Sequence, residues 1–429
     1  MTEPTAAARD YDIVVYGATG FVGALTAKYL AEHAPEGIRI ALGGRTKSKL
    51  RRVQNDLSEV NPDAAHWGII AADATDNRAL RSLAESTTVV ISTVGPYAKY
   101  GKQLVAECAA AGTHYVDLCG EVLFNRYTID HHHEQARQTG ARIIHACGFD
   151  SVPSDIGMFL LHRAAAEKGV GPLAEATMLV KMKGGLSGGT VDSMRGQIAT
   201  MRHDKGAAKL LQDPYSLSPD RESEPDLGKQ PDYGLAKAQD FGAPDGHAAP
   251  FLMAGANTRV VRRSNALLDH AYGKNLRYRE FISTGPGLKG KATAAGLAAG
   301  TGALFGALRQ DNLRGVLKKW LPEPGQGPSE EDREQGFFRC DFYGRSTPGA
   351  GVDVTARVAA EGDPGYKATC LMLAEAALTL ALGQDGQSPE ESSQQGPAGG
   401  GVLTPATGLG MPYVRRLRDA GMTLTARAL

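Results

Sequence analysis

The sequence predicts an α/β chain, with a doubly wound parallel sheet at its N-terminal end and a second, α+β domain after it. Three observations lead there. Short runs that are apolar at nearly every position alternate with helical stretches over the first 150 residues. A glycine-rich turn joins the first run to the first helical stretch. After Asp150 the alternation stops and strands, helices and a long polar loop follow in mixed order. Runs without a polar face are buried on both sides, which requires a parallel sheet covered by helices. Strand, helix, strand in repetition then produces right-handed crossovers.

The six runs are "YDIVVYG", "IRIALGG", "HWGIIAA", "TTVVISTVG", "THYVDLC" and "ARIIHACG". The helical stretches between them include "VGALTAKYLAEH", "KSKLRRVQNDLSEV" and "NRYTIDHHHEQARQTG". Six strands complete a Rossmann domain, assigned to residues 1–150. Residues 151–382 form the second domain. In it "SDIGMFLLHRAAAEKG" reads as a helix with Asp155 near its start, "EATMLVKMKGG" as a strand, and "GGTVDSMRGQIATMRHDKGAAKLL" as one helix. Residues 212–250 read as a long loop, and "GFFRCDFYGRS" and "GVDVTARVAAEG" as antiparallel strands before the helix "GYKATCLMLAEAALTLAL". Residues 383–401 are low in complexity and read as a flexible loop, and 402–429 as a segment packing back on the body.

Composition narrows the function classes. Lys+Arg and Asp+Glu both number 47, so the chain carries no net field to attract nucleic acid. The five cysteines (Cys108, Cys119, Cys147, Cys340, Cys370) form no C-x-x-C pair and fit buried thiols in a reducing compartment. "MTEPTAAARDYD" has no apolar stretch of signal-peptide type, which places the protein in the cytoplasm. His131, His132 and His133 are consecutive on a helix, so they point to different faces and cannot converge on a metal; no metal site is expected.

"VVYGATGFVG" sets Gly17, Gly20 and Gly23 between a strand and a helix. That spacing gives a sharp turn, a backbone free to approach a pyrophosphate, and a helix lying close to the sheet. Thr19 and Phe21 belong to the same turn. At the end of the second strand a dinucleotide enzyme using NAD carries an acidic residue, about 20 residues after the glycines. Here Gly43 and Gly44 stand there instead, followed by Arg45, with Lys47 and Lys49 close by. A guanidinium offers paired donors to a ribose 2′-phosphate, so the expected cofactor is NADP(H). Asp73 is expected near the adenine, or as a helix cap, and Thr93 to Gly95 near the nicotinamide ribose.

"YGATGFVG", "GGR", "TVGPYAKYG", "THYVDLCGE", "GFDSVPSD", "GGTVDSM", "GDPGYKAT" and "GGVLTPATGLG" together resemble the saccharopine dehydrogenase-like oxidoreductases, and in particular the trans-acting enoyl reductases of actinobacterial lipid biosynthesis. The resemblance spans nearly the whole chain. It implies NAD(P)-dependent reduction and, in the best-described members, saturation of a carbon–carbon double bond on an acyl or polyketide lipid presented by a polyketide synthase carrier. Two alternatives stay open: imine reduction of the saccharopine type, for which Arg195 and Arg202 are the available carboxylate binders, and a nucleotide-binding, lipid-associated adaptor without turnover.

Enoyl reduction needs a hydride at the β-carbon, a donor to the enolate oxygen and an acid for the α-carbon. The nicotinamide belongs beyond the carboxyl ends of the fourth and fifth strands, and the candidates near it are Tyr97, Tyr100, Asp117, Glu121, Asp150 and Ser151. Tyr97 leads as enolate donor, with Lys102 a candidate for lowering its pKa; packing is the alternative role for both tyrosines, and capping for the aspartates. "SGGTVDS" (187–193) opens a helix whose amides suit a carbonyl or phosphate. Finally, "ATAAGLAAGTGALFGAL" lies uncharged between Lys291 and Arg309, with Gly296/Gly300 and Gly302/Gly306 at small-residue spacing. It is shorter than the ~20 residues a spanning helix needs. Leu304, Leu308, Leu313, Val316, Leu317 and Trp320 continue the apolar spacing, and Arg314, Lys318 and Lys319 add charge. Segment 291–321 could therefore lie on the plasma membrane as a peripheral contact, pack in a homodimer, or wall an acyl tunnel.

Overall fold

The computed structural model describes residues 9–185, 188–308, 327–383 and 399–429. Its first sheet is built from the six apolar runs: β1 (Tyr11–Tyr16), β2 (Ile40–Gly44), β3 (Gly68–Ala71), β4 (Thr87–Ser92), β5 (His114–Asp117) and β6 (Arg142–Ile144). They pair in parallel in the order β3-β2-β1-β4-β5-β6. Ile13, Val14, Val15, Val89, Val90 and Ile91 have no exposed surface, which is why these strands show no polar alternation. The crossovers carry α1 (Phe21–His33), α2 (Lys47–Val60), α3 (Asn77–Ser86), the short α4 (Tyr97–Tyr100), α5 (Lys102–Ala111) and α6 (Val122–Thr139).

The second domain begins with α7 (Val152–Glu167) and β7 (Glu175–Lys183). The stretch read as one long helix divides into α8 (Gly188–His203) and α9 (Lys205–Gln212). The break falls at Asp204, whose carboxylate accepts from the Gly206 and Ala207 amides at 2.7 and 3.0 Å and so starts a new helix. The segment read as a loop over 212–250 contains two short strands, β8 (Ala236–Lys237) at the sheet edge and β9 (His247–Pro250) next to it. Strands of two and four residues are too short to show a periodicity in the sequence. Next come α10 (Ala254–Leu267), β10 (Arg277–Gly285), α11 (Gly287–Leu308), α12 (Glu330–Glu334), β11 (Phe337–Arg345), β12 (Val354–Glu361) and α13 (Lys367–Ala381). The chain ends with β13 (Gly401–Leu403), α14 (Pro405–Asp419) and β14 (Thr423–Ala428). The second sheet runs β14-β12-β11-β7-β10-β9-β8, with β11 and β12 antiparallel as read from the sequence.

Three features depart from the sequence reading. The first sheet has a seventh strand: β13 pairs in parallel with β6 and covers its free edge. Val402 N–H donates to His133 Nδ1 at 3.1 Å, which pins that strand to α6. Gly401 therefore belongs to a strand, and 384–398 of the expected flexible loop lie outside the described residues. Second, α13 is buried on nearly every side because it is sandwiched between α1 and α14 while resting on β1, β4 and β5 of the nucleotide sheet. It serves the N-terminal layer although it lies within 151–382. Third, Asp155 is fully buried and ties three helices: its carboxylate accepts from Ser264 Oγ of α10 and from the Ala406 amide of α14 at 2.7 Å. Burial pushes that carboxyl up to about 6.

Candidate functional site

The site is built at the carboxyl ends of the parallel strands, where the glycine turn leaves β1. Gly17 has φ +94°, a conformation that L side chains rarely adopt. A Cβ on Gly23 would sit 2.2 Å from the Gly17 carbonyl oxygen, so only glycine lets α1 come this close to the turn. Thr93 Oγ1 donates to the Tyr16 and Gly17 carbonyls, both at 3.3 Å, and locks the turn to the end of β4. Gly20 is the N-cap of α1 and no side chain caps that helix, so its first-turn dipole is left for an anion. Thr19 is exposed and Phe21 half-buried, its ring edge-on to Tyr366 at 5.1 Å.

Arg45 follows the last residue of β2 and is exposed, as are Lys47 and Lys49 in the first turn of α2. Gly43 and Gly44 are buried and carry no carboxylate. Asp73 is exposed and folds its own turn, accepting from Thr75 N–H at 2.9 Å and Thr75 Oγ1 at 2.7 Å. Those bonds hold its carboxyl below the usual carboxylate range, and Arg45 adds to the effect. The capping role considered for Asp73 belongs instead to Asp76, which accepts from the Arg78 and Ala79 amides.

Next to this turn lies a cavity of about 920 Å³. Gly20, Thr93, Gly95 and Tyr97 line it from the nucleotide sheet, and α8, α10 and α11 close it from the second domain. Most of the wall is apolar: Met194, Ile198 and Met201 of α8 share one face with Leu297 and Phe305 of α11 opposite. Ile282 of β10 completes the wall. Phe305 also meets Tyr233 edge-on at 5.5 Å.

The structure sorts the candidate acids. Asp150 lines the cavity, and burial together with the Asp117 carboxylate pushes its carboxyl up to about 7. Ser151 is buried and donates to Asn257 Oδ1 at 3.0 Å, a structural bond. Asp117 has no exposed surface: it meets His145 Nδ1 at 2.8 Å and accepts from the Cys119 and Ala146 amides at 2.9 and 3.1 Å. It is fully used in holding the ends of β5 and β6 and touches no open space, so it is withdrawn as a catalytic candidate.

Tyr97 is likewise engaged within the fold. Its ring lines the cavity, but Oη donates to the Ser92 carbonyl at 3.0 Å and accepts from Leu118 N–H at 3.2 Å. Burial raises that phenol well above its ordinary range. Lys102 does not lower it, because the Lys102 ammonium sits over the Tyr127 ring, 4.1 Å from its centroid. Tyr100 is half-buried beneath Lys99, 4.7 Å from the ring centroid, and is not part of the cavity wall. Packing was the alternative for both tyrosines, and it describes them better.

Glu121 turns out to be an anchor. Its carboxylate accepts from the Tyr97 and Ala98 amides, both at 2.9 Å, and from Ser193 Oγ of α8 at 2.9 Å. Two further residues escaped the sequence reading. Arg259 and Asp232 form a buried pair at 2.7 Å in the cavity wall. The pairing joins α10 to a loop residue 27 positions earlier, a separation no local pattern exposes. Of "SGGTVDS", Ser187 lies outside the described residues, and Gly188 to Ser193 form the first turns of α8 on the cavity. Arg309, Leu313, Arg314, Val316, Leu317, Lys318, Lys319 and Trp320 also lie outside them. Among the described residues no group of His, Cys, Asp or Glu could hold a metal, and no helix is long and apolar enough to cross a membrane.

Residues 13–144 match the family model of the saccharopine dehydrogenase NADP binding domain. A Mycobacterium tuberculosis protein, named as a candidate trans-acting enoyl reductase, is 47% identical over 433 residues, covering 99% of each chain. The trans-acting enoyl reductase of Mycobacterium ulcerans is 41% identical over 436 residues, 99% of this chain and 100% of its own. The chain belongs to the trans-acting enoyl reductase family. Among solved structures, apo saccharopine dehydrogenase (L-Glu forming) from Saccharomyces cerevisiae shares the fold, with TM-score 0.52, 13% identity, and coverage of 98% of this chain and 100% of that one.

In this trans-acting enoyl reductase chain, the cofactor of the N-terminal domain is NADP(H). The residues present fit it: the Gly17–Gly23 contact leaves no room for a Cβ where backbone must approach a pyrophosphate, and the end of β2 offers a guanidinium with no carboxylate beside it.

Proposed function

We propose that this chain saturates the α,β double bond of an acyl intermediate delivered by a separate synthase, with NADPH as reductant and Asp150 as proton donor. The observation that carries this reading is a carboxyl with its pKa raised to about 7, set in the wall of a largely apolar cavity beside the glycine turn. NADPH, when bound, supplies the hydride. Gly17, Gly20 and Gly23 would hold its pyrophosphate, Arg45 with Lys49 its 2′-phosphate, and Thr93 and Gly95 the segment next to the nicotinamide. Asp150 holds a proton near neutrality, which suits transfer to the α-carbon. The first turn of α8, with Gly189 on the cavity, presents amides and a positive dipole end to a carbonyl oxygen. The apolar faces of α8 and α11 exclude water and accommodate a chain of methylenes.

The saccharopine-type alternative is less well served. Arg195 is paired with Asp192 at 3.1 Å, Arg202 is exposed and stands outside the cavity wall, and the guanidinium that does line the cavity, Arg259, is paired with Asp232. Of the three roles open for 291–321, the wall of an acyl tunnel is the one that the packing of α11 on β9 and β10 and its cavity residues support. Purified protein should oxidise NADPH when given an enoyl thioester. Oxidation with a keto acid plus an amino acid, and none with the thioester, would replace this reading with imine reduction; no oxidation with either would favour the adaptor.

Two further outcomes follow from the same site. Arg45→Ala should weaken NADPH binding by about 10–100-fold, the worth of a charge-assisted paired hydrogen bond, and leave NADH binding unchanged in a fluorescence titration. Equal affinities for the two nucleotides in the unaltered protein would refute the role of Arg45. Leu297→Arg, placing a charge in the cavity wall, should raise KM for long-chain enoyl thioesters by about tenfold or more while sparing short ones. An equal effect on both lengths would show that α11 does not contact the chain.

A further inference from the structure

We infer that Glu121 and Ser193 form a cross-domain latch that sets α8 over the reacting end of the cavity, and that both are positioning residues for the reduction. The inference rests on the proposed function, which supplies the reaction, but its structural part can be tested without it.

Glu121 is 3% exposed and stands at the N-cap of α6. Its Oε2 accepts from the Ala98 amide, and its Oε1 accepts from both the Tyr97 amide and Ser193 Oγ. One carboxylate thereby fixes two things at once. It holds the 95–98 turn, whose Gly95, Pro96 and Tyr97 line the cavity on the nucleotide side. It also holds the helix that lines the cavity on the substrate side. A buried carboxylate with three donors is strongly held, because each bond offsets part of its desolvation.

Ser193 lies one residue before Met194, and Met194, Ile198 and Met201 follow one another at helical spacing along the cavity face of α8. The register of that apolar stripe against Asp150 therefore depends on where Ser193 is anchored. Gly184 and Gly185, just after β7, are exposed, and Gly184 has φ +151°. Arg195 spends its Nη1 bond within α8, on Asp192.

The test uses the full chain and three variants, Ser193→Ala, Ser193→Thr and Glu121→Gln. Amide hydrogen exchange over 188–203, measured without any substrate, should quicken several-fold in Ser193→Ala and return to wild-type rates in Ser193→Thr, with no change in melting temperature. With an enoyl thioester, Ser193→Ala should raise KM about tenfold with a smaller effect on kcat, and the NADPH dissociation constant should stay put. Glu121→Gln must bring an amide NH₂ against a backbone N–H, so it should quicken exchange in α8 and also in the 97–100 turn. Unchanged exchange in α8 on removing the Ser193 hydroxyl would overturn the latch, whatever the enzyme reduces. Wild-type protein inert toward the thioester, with exchange altered as described, would instead overturn the proposed function and leave the latch standing.

Discussion

Replacing Asp150 by Asn is expected to lower kcat by about 10²–10⁴-fold while leaving NADPH affinity within a few-fold of wild type. The side chain keeps its shape and loses its proton. The pH dependence follows from the same environment. Burial and the neighbouring Asp117 carboxylate disfavour the anion, so the carboxyl is protonated below about 7 and ionised above it. A general acid works only in its protonated form, so wild-type kcat should level off on the acidic side and fall roughly tenfold per pH unit well above the pKa. Stopped-flow NADPH oxidation from about pH 5.5 to 9, the span on either side of a group titrating near 7, would display that limb. The Asn variant should lose it. A wild-type profile flat through this window, or an Asn variant with near-normal kcat, would remove Asp150 from the reaction.

The second large effect is at the turn itself. Gly23→Ala adds one carbon, and that carbon would lie 2.2 Å from the Gly17 carbonyl oxygen, 2.8 Å from its carbonyl carbon and 2.8 Å from Thr93 Oγ1. Two of these atoms are backbone and cannot swing aside. Either α1 lifts from β1, at a cost of about 1–3 kcal/mol in stability, or the turn deforms. Both outcomes misplace the amides and the helix end that would meet the pyrophosphate, so NADPH affinity should fall by two orders of magnitude or more. A fluorescence titration alongside a thermal melt separates the two: a folded variant that binds NADPH normally would mean that the turn is not the phosphate cradle.

The sequence exposed what is local and concealed what is tertiary. The first sheet could be read because Val14, Val89 and Val90 are buried on both faces and leave an uninterrupted apolar run. The glycine turn could be read because its constraint lies within seven residues, Gly17 to Gly23. Strand β13 could not, since three residues after a low-complexity stretch have no period and owe their conformation to pairing with β6. The same distinction explains the site. Asp117, Glu121 and Asp150 look alike as acids near strand ends, yet one is locked to His145, one anchors Tyr97, Ala98 and Ser193, and one faces open space. Side-chain direction decided among them. The Tyr97 phenol looks available in the sequence, yet it is engaged by the Ser92 carbonyl at the end of β4, five residues earlier.

The placement of β13 and β14 bears on how the polypeptide comes together during synthesis. The last 29 residues supply an edge strand to each sheet, β13 to one and β14 to the other, with α14 spanning between them. A nascent chain leaving the ribosome therefore finishes neither layer until its C-terminal stretch emerges. The two halves mature together, so severing the tail should unravel both at once.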